Sequence, residues 1–358
     1  MGIRFSSLVK LVFRYGIGFK PLFICRLLVL IPTSLLSEIF TLIENLKYGR
    51  KIKGTIIENP PVFIIGHWRS GTTFLHQLIF LDSRFTAPTV VQTVIPDHFL
   101  FSSKYWIPVM RKIMPEKRPM DEVVMDPLAP QEDEWALLRL GAPTPMLKVY
   151  FPSEKERFYM GTDEFIPEGD DLARWKKSIQ LFLKKITFQT QKQIILKNPF
   201  HTPRIPLLSE IFPGAKFIHI VRHPFKTVPS TINMWNIVAG ENAFRGGWKD
   251  MTIEETAGEI NDFLMSVTYN KSRLSKGSFT EVRYEDLEKD PVGEIRKIYY
   301  GLGFTFTSDY EKRILHFMEE KKNYRKNSFN LDKEQKESII KAMAGYMDLY
   351  GYSQNDLY

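Results

Sequence analysis

The chain has 358 residues, 44% of them hydrophobic and 25% charged, a composition typical of a globular protein with one large α/β domain or two smaller ones. Its net charge of +8 favours a polyanionic small molecule or an anionic membrane as a partner. Because the charge is dispersed along the chain, we do not expect nucleic acid. The single cysteine, Cys25, excludes an internal disulfide and a cysteine-based metal site.

The first 57 residues form an apolar, basic segment that we separate from a single domain over residues 58–358. The longest uncharged run of this segment, Leu27–Leu36, is interrupted by Pro32 and is too short to span a bilayer. We therefore predict no membrane-spanning helix there.

Apolar residues at helical spacing predict an amphipathic helix from Leu35 to Leu46, ended by Gly49. Two interpretations stay open for this region. One is a helical lid packed on the domain, and the other is a peripheral membrane anchor formed by residues 1–50. We expect a cytoplasmic protein, peripheral to the membrane if the anchor interpretation holds.

A short apolar run, Val62–Ile65, has the composition of a strand buried on both faces of a parallel sheet. Gly66 and Gly71 then bracket a tight loop, and apolar residues at helical spacing follow as far as Ile79. A strand, a glycine loop and a helix start form an anion cradle, because backbone N–H groups and the helix dipole face the ligand.

The loop matches the G-x-x-x-x-G part of the nucleotide phosphate loop, but Thr72 stands where that motif requires lysine. The cation lies inside the loop, as Arg69. We therefore expect a compact phosphate-like group without a polyphosphate tail, and no metal. A P-loop kinase or NTPase is a disfavoured alternative.

Residues 84–126 are rich in proline and aromatic side chains, which predicts irregular structure with short helices. This region forms either the wall of an acceptor pocket or core packing under a long loop. Pro130 and the acidic residues after it predict the start of a helix, and a further helix is predicted over residues 172–186.

Three more strands are predicted, at Ile194–Leu196, Lys216–Val221 and Phe279–Arg283, with helices between them and after them. Alternating strands and helices predict an α/β fold with a right-handed, doubly wound parallel sheet flanked by helices, plus extra N-terminal and C-terminal helices.

Three cations directly follow or end predicted strands: Arg69, Lys197 and Arg222. On such a sheet, ligands bind beyond the carboxyl ends of the strands, so these cations would converge on one rim. Cations gathered there need an anion to neutralise them, and a ligand would supply it.

Two motifs, each after a predicted strand, resemble those of sulfotransferases that use 3′-phosphoadenosine-5′-phosphosulfate (PAPS), and they occur in the same order along the chain. Residues 66–73 resemble the 5′-phosphosulfate loop of the family, and residues 217–224 with Ser230 resemble its 3′-phosphate motif. The resemblance spans residues 58–302 and implies a P-loop-like fold, PAPS as co-substrate and a hydroxyl acceptor. Secondary matches lie at residues 196–199 and 282–287.

The resemblance implies two anion sites, one for the 5′-phosphosulfate and one for the 3′-phosphate of PAPS. Arg222 and Ser230 would hold the 3′-phosphate, the first through its planar fork and the second through its hydroxyl. Tyr284, in the last secondary match, is also predicted to contact the co-substrate. The loop would bind the phosphosulfate through Arg69, Ser70, Gly71, Thr72 and Thr73.

Sulfuryl transfer parallels phosphoryl transfer, with in-line attack and charge building on the leaving oxygen. Cations placed at that oxygen lower the barrier. Arg69 and Lys197 are the catalytic candidates, because each matches a residue of the tyrosylprotein branch of the family. The cytosolic branch has lysine in the loop, and here the sequence departs from it.

The base that takes the acceptor proton is predicted to be a glutamate, as in the carbohydrate and tyrosylprotein branches. Glu132 is the first choice, since a helix dipole would keep it ionised, and Glu134 is the second. A solvated capping cluster is the competing interpretation of these acids. His201 and His67 are lesser candidates.

The C-terminal region lacks the glycine of the Arg-Lys-Gly segment found in the cytosolic branch of the family, so Arg325 and Lys326 form either a phosphate contact or a basic surface turn.

Aromatic content and the apolar N-terminus favour a hydrophobic acceptor such as a lipid or sterol, with carbohydrate as the alternative. A non-catalytic membrane-surface protein is a second alternative, which leaves the three rim cations unexplained. Acceptor identity and oligomeric state stay open.

Overall fold

One five-stranded sheet forms the centre of the protein, and its strands are β1 (Val62–Ile65), β2 (Phe85–Thr86), β3 (Gln193–Lys197), β4 (Lys216–Val221) and β5 (Phe279–Arg283). Their order is β2-β3-β1-β4-β5, and each neighbouring pair is parallel. The predicted doubly wound α/β fold is confirmed. The computed structural model describes residues 2–118, 120, 123–153, 165–322, 329–354 and 356.

Helices cover both faces of the sheet, and a short 3₁₀ turn follows β3 at Pro199–His201. In chain order the helices are α1 (Phe5–Tyr15), α2 (Pro21–Gly54), α3 (Thr72–Phe80), α4 (Val90–Val94), α5 (Phe99–Ile113), α6 (Glu134–Arg139), α7 (Met146–Tyr150), α8 (Gly169–Thr190), α9 (Ile205–Ile211), α10 (Pro224–Asn242), α11 (Ile253–Lys271), α12 (Tyr284–Lys289), α13 (Pro291–Gly301), α14 (Ser308–Glu320) and α15 (Lys333–Tyr350).

Side chains of β1 alternate between two buried clusters. Phe63 and Ile65 pack in a cluster with residues of α8, whereas Val62 and Ile64 pack in a cluster with residues of α3 and α13. Because successive side chains of a strand point to opposite faces, a strand covered by helices on both sides is apolar at every position. This explains why β1 reads as an unbroken apolar run.

The segment between α3 and α6 is more helical than its composition predicts. Proline and aromatic residues favoured irregular structure, but α5 is a 15-residue helix that continues through Pro108. Its buried side chains include Phe99 and Met110, so tertiary packing overrides the weak local preference.

The predicted bounds of the helix from Leu35 to Leu46, ended by Gly49, are wrong, because α2 begins at Pro21, continues through Pro32 and extends past Gly49 to Gly54. Pro32 removes one backbone donor from the helix. Hydroxyls beside it bond to the carbonyls of the preceding turn: Thr33 Oγ1 donates to Val29 O at 3.0 Å. By length and composition alone, α2 is long and apolar enough to cross a membrane, and 17% of its most apolar 18-residue window is buried.

The second half of α2 is tied to the rest of the protein by a buried ion pair. Glu44 Oε1 lies 2.5 Å from Nζ of Lys185 on α8, and the two side chains are 1% and 3% exposed. Glu44 Oε2 also accepts from the backbone N–H of Phe101 on α5 at 2.9 Å. In the first half, Arg26 Nη2 donates to the carbonyl of Gly240 at 3.1 Å. These contacts fix α2 against α5, α8 and α10.

Candidate active site

Two glycines of the loop between β1 and α3 have positive φ angles and no room for a side chain. Gly66 has φ 138°, and a Cβ there would lie 2.5 Å from the carbonyl oxygen of Ile220. Gly71 has φ 97°, and its Cβ would lie 2.2 Å from the ring of Tyr284. Glycine is required at both positions, so the loop backbone packs directly on β4 and α12.

Hydrogen bonds inside the loop hold its shape. The hydroxyl of Thr202 accepts from Gly66 N–H at 2.9 Å and donates to Gly66 O at 3.1 Å. Ser70 Oγ donates to the carbonyl of His67 at 2.7 Å, and Ser70 is 2% exposed. The hydroxyl of Ser70 is thus turned into the loop rather than toward a ligand.

The two predicted anion sites meet through direct contacts. Nε of Arg69 donates to Oγ of Ser230 at 2.8 Å. Arg222 donates from Nη1 to the carbonyl of Arg69 at 3.0 Å, and its guanidinium carbon lies 4.1 Å from the ring centroid of Tyr284. The residues predicted for the phosphosulfate loop and for the 3′-phosphate motif therefore form one continuous cluster.

A cavity of about 310 Å³ opens over this cluster. Among the described residues that line the cavity, Glu288 is the acidic one. Its carboxylate accepts a hydrogen bond of 2.9 Å from the hydroxyl of Tyr284. Cations outnumber it, so the cavity is suited to a multiply charged anion. The predicted residues in the lining are Arg69, Gly71, Thr72, Thr73, Arg222, Ser230 and Tyr284; Arg118, Lys226, Lys321 and Lys322 are further cations that the sequence did not single out.

Of these further cations, only Lys226 carried a usable sequence signal. It lies in the first turn of α10, four residues after Arg222, which precedes the helix. Residues four positions apart at a helix start are neighbours, so Lys226 could have been predicted beside Arg222. Arg118, Lys321 and Lys322 come from segments distant in sequence, with no motif around them. Arg325 and Lys326, considered as phosphate contacts, lie outside the described residues.

The backbone of Arg222 is held by the C-terminal helix α15. The hydroxyl of Tyr346 accepts from Arg222 N–H at 3.2 Å and donates to Arg222 O at 3.0 Å. The two residues are 124 positions apart, so local pattern could not reveal the contact. Tyr346 fixes the direction in which Arg222 leaves the end of β4.

Lys197 and Glu132 form a close ion pair beside the loop, with Nζ and Oε1 2.5 Å apart. The side chains are 4% and 17% exposed. Lys197 is the last residue of β3 and pairs in register with Ile64, two residues before Gly66. The pair is therefore adjacent to the phosphate loop, although neither residue is in the described lining of the first cavity.

The acids around Glu132 have separate partners, and the predicted helix start is displaced. α6 begins at Glu134, so Glu132 precedes the helix and a dipole in its first turn does not act on it directly. Asp133 Oδ2 lies 2.8 Å from Nε2 of His201, and both are fully buried. Tertiary contacts with β3 and the turn after it, rather than capping, order these acids.

Glu134 is 1% exposed and pairs with Nη1 of Arg204 at 2.8 Å. It also accepts from Thr144 Oγ1 at 2.6 Å and from Asn198 Nδ2 at 2.9 Å. Burial alone would raise the pKa of Glu134, but the charge and hydrogen bonds of Arg204, together with His201 and the hydroxyl of Thr144, outweigh burial and hold this pKa below the ordinary value. Glu134 is therefore fixed in the interior. Of the two candidate glutamates, Glu132 is the one that lies beside the rim.

The two histidines considered as bases are buried. His201 is 0% exposed and faces Asp133, and His67 is 0% exposed with Nδ1 3.0 Å from the carbonyl of Trp68. Burial lowers the pKa of His67 to about 3, so its ring is neutral near pH 7. Neither ring lines the described cavity.

Comparisons with known proteins identify the family of the chain. The model of the sulfotransferase family matches residues 60–308. Omega-hydroxy-beta-dihydromenaquinone-9 sulfotransferase Stf3 of Mycobacterium tuberculosis is 32% identical over 324 residues, which cover 90% of this chain and 83% of that protein. The protein of the same name from Mycobacterium bovis gives the same values.

Solved structures share the fold. Sulfotransferase STF9 from Mycobacterium avium has a TM-score of 0.74 at 16% identity, covering 99% of this chain and 98% of that one. Sulfotransferase STF1 from Mycobacterium tuberculosis has a TM-score of 0.63 at 16% identity, covering 95% and 91%. Together with the family match over residues 60–308, these relationships establish that the chain belongs to the sulfotransferase family and is a sulfate-transferring enzyme.

Proposed function

We propose that the protein transfers the sulfuryl group of PAPS to a hydroxyl of a hydrophobic acceptor. The observation that carries the proposal is the continuous cluster of Arg69, Ser230 and Arg222 under one cation-lined cavity. PAPS carries a 5′-phosphosulfate and a separate 3′-phosphate, so it needs two linked anion sites.

In the proposed complex, the loop holds the 5′-phosphosulfate through Arg69 and through groups of Thr72 and Thr73. Arg222 and Ser230 hold the 3′-phosphate. Backbone N–H groups at the start of α3 add to the loop's attraction for anions. Ser70 stabilises the loop with its hydroxyl, and Tyr284 places its ring against Arg222.

The proposed chemistry is an in-line transfer. The acceptor oxygen attacks sulfur, a new S–O bond forms, and the bond from sulfur to the phosphate oxygen breaks. Lys197 and Arg69 stabilise the negative charge that builds on that phosphate oxygen. Glu132 takes the proton of the acceptor hydroxyl, so sulfated acceptor and adenosine 3′,5′-bisphosphate leave as products.

The ion pair between Lys197 and Glu132 supports this division of roles. The ammonium of Lys197 lies 2.5 Å from the carboxylate of Glu132. A phosphosulfate in the neighbouring loop competes for the same ammonium, because it brings more negative charge than one carboxylate. We propose that donor binding draws Lys197 toward the leaving oxygen and frees Glu132 for the acceptor.

Support for a hydrophobic acceptor comes from the relatives and from the surface. The names of the 32%-identical relatives specify a hydroxylated menaquinone as their acceptor. In this chain α2 exposes an apolar face, with Ile39 56%, Leu42 61% and Leu46 79% exposed. A lipid hydroxyl fits both observations better than a carbohydrate does.

Binding of the desulfated product tests the donor assignment. We expect calorimetry to show sub-millimolar binding of adenosine 3′,5′-bisphosphate without Mg²⁺. Replacing Arg222 with alanine should weaken this binding by about 10–100-fold, because a charged hydrogen bond contributes about 1.5–3 kcal/mol. Arg174→Ala, on the exposed surface of α8, is the matched control and should bind normally. Binding that requires Mg²⁺ and a nucleoside triphosphate would contradict the assignment.

We also propose that residues 1–50 contact the membrane surface peripherally. The helix α5, which contacts α2, also exposes Tyr105, Val109 and Ile113, by 53%, 44% and 55%. Exposed basic residues Arg50 and Lys51 stand near the end of α2 and suit anionic headgroups.

Vesicle flotation tests this contact. We expect the double variant Leu42→Ser and Leu46→Ser to lose most of its binding to vesicles containing phosphatidylglycerol, since both side chains are exposed and contribute apolar area to the interface. Leu315→Ser, at an exposed position of α14, is the matched control and should float as wild type does. Equal flotation of all three proteins would show that this face does not contact the membrane.

A further inference from the structure

A second cavity, of about 490 Å³, lies between the N-terminal helices and the body of the protein. Its volume is larger than that of the anion cavity, and its walls are mainly apolar. One wall comes from α1 and α2, and the other from α6, α7 and the end of α10. The apolar lining residues include Leu8, Leu11, Val29, Leu30, Leu138, Leu147, Tyr150 and Phe151.

The helix α6 connects this cavity with the proposed base. Leu138 and Arg139, at the end of α6, line the cavity, and α6 begins two residues after Glu132. From Glu134 to Leu138 the helix rises about 6 Å, and the two residue steps from Glu132 to Glu134, which precede the helix, add at most about 7 Å. The end of the cavity at Leu138 therefore lies within about 13 Å of the backbone of Glu132.

The cavity also opens toward the apolar face of α2. Val29 lines the cavity and is 53% exposed, and its neighbour Leu28 is 62% exposed on the helix surface. The polar and charged lining residues are Arg26, Arg139, Glu241 and Asn242. Arg26 donates to the carbonyl of Gly240 in α10, and Arg139 donates to the carbonyl of Trp135 at 2.9 Å. A mainly apolar pocket of this size with a few polar groups is typical of a small-molecule site.

We propose that this cavity binds the alkyl or isoprenoid chain of the acceptor lipid, with the hydroxyl end directed along α6 toward Glu132. The inference rests on the proposed lipid-sulfating function. The occupant is a hydrocarbon chain because the walls from α1, α2 and α7 are apolar and the mouth is continuous with the exposed face of α2. A chain can pass from a membrane into the cavity without exposure to water.

Direct binding of a chain analogue tests the cavity separately from sulfuryl transfer. The probe is an 11-carbon fatty acid carrying a dansyl group, displaced by farnesol. We expect the full-length enzyme to enhance probe fluorescence, and Leu30→Trp, which fills the cavity from α2, to weaken probe binding at least tenfold. Leu28→Trp, two residues away on the exposed surface, is the matched control and should bind the probe as wild type does.

Calorimetry with adenosine 3′,5′-bisphosphate is run on each variant and should be unchanged, which shows that the protein is folded. Leu11→Trp, from the α1 wall, repeats the test if Leu30→Trp does not fold. Wild-type probe affinity in a folded cavity variant, or no probe binding to wild type, would overturn the proposal. If the wild-type protein does not bind the bisphosphate, the proposed function is wrong. The probe measurement would still decide whether the cavity binds a hydrocarbon chain.

Discussion

Replacing Lys197 with methionine is expected to lower kcat by about 10²–10³-fold, the loss seen when one preorganised charge-stabilising donor is removed from a transition state. Methionine keeps the apolar stem of this 4%-exposed side chain but removes the ammonium. Affinity for adenosine 3′,5′-bisphosphate should change little, because Lys197 stands beside the described cavity rather than in its lining. Steady-state kinetics together with calorimetry measure the two effects.

Lys226→Met is the matched control, since Lys226 is a cation of the described cavity lining. It should weaken bisphosphate binding and raise KM for the donor, with little change in kcat. If the two variants show the same kinetic pattern, Lys197 has no special role at the leaving oxygen. The double variant of Lys197 and Glu132 should lose less activity than the product of the two single losses, because the residues form one pair.

The sheet and its rim could be predicted from sequence because their causes are local. The apolar run Val62–Ile65 matches β1, since a strand covered on both faces is apolar at every position. The predicted strand Lys216–Val221 matches β4, which is apolar except at Lys216 and His219. Arg69, Lys197 and Arg222 follow or end these parallel strands, so topology alone brings them to one edge. The two-residue strand β2 was missed, as it is too short to show a pattern.

Contacts between residues that are distant in sequence could not be predicted from local sequence patterns. Glu132 and Glu134 are two residues apart and chemically identical, and only the positions of Lys197 and Arg204 place the first at the rim and the second in the interior. The contact of Tyr346 with Arg222 joins the last helix to a strand end. Such contacts depend on how distant elements pack, which composition and periodicity do not encode.

The length of α2 was also not predictable from sequence patterns. The prolyl residue at position 32 and the glycine at position 49 are ordinary signals of helix interruption, yet α2 passes through both. The buried pair of Glu44 and Lys185 and the contact of Arg26 with α10 stabilise the continuous helix from outside. Tertiary contacts here outweigh a cost of about 3 kcal/mol for an interior proline.

Replacing Glu132 with glutamine is expected to lower kcat by about 10²–10⁴-fold, because the amide keeps the shape of the carboxylate but cannot accept the acceptor proton. Bisphosphate binding should stay close to wild type, since Glu132 is not in the described lining of the anion cavity. Folding stability should fall by less than in Glu134→Gln, because Glu132 is 17% exposed whereas Glu134 is 1% exposed. Single-turnover kinetics with saturating PAPS isolate the transfer step, and near-normal turnover would reject the assignment.

Glu134→Gln is the matched control, with the same chemical change two residues away. It removes the charge that compensates buried Arg204, so we expect a loss of about 3–5 kcal/mol in the free energy of unfolding. Burial opposes ionisation of Glu134, but the charge and hydrogen bonds of Arg204, with His201 and Thr144, together outweigh burial, so the pKa of Glu134 in the folded protein lies below 4.5. The wild-type pair therefore contributes its full stability above pH 4.5 and loses it as the pH falls through that lowered pKa. Glu134→Gln should lack this acid-dependent loss, whereas Glu132→Gln should keep it, so denaturation measured between neutral and acidic pH separates the structural glutamate from the proposed base.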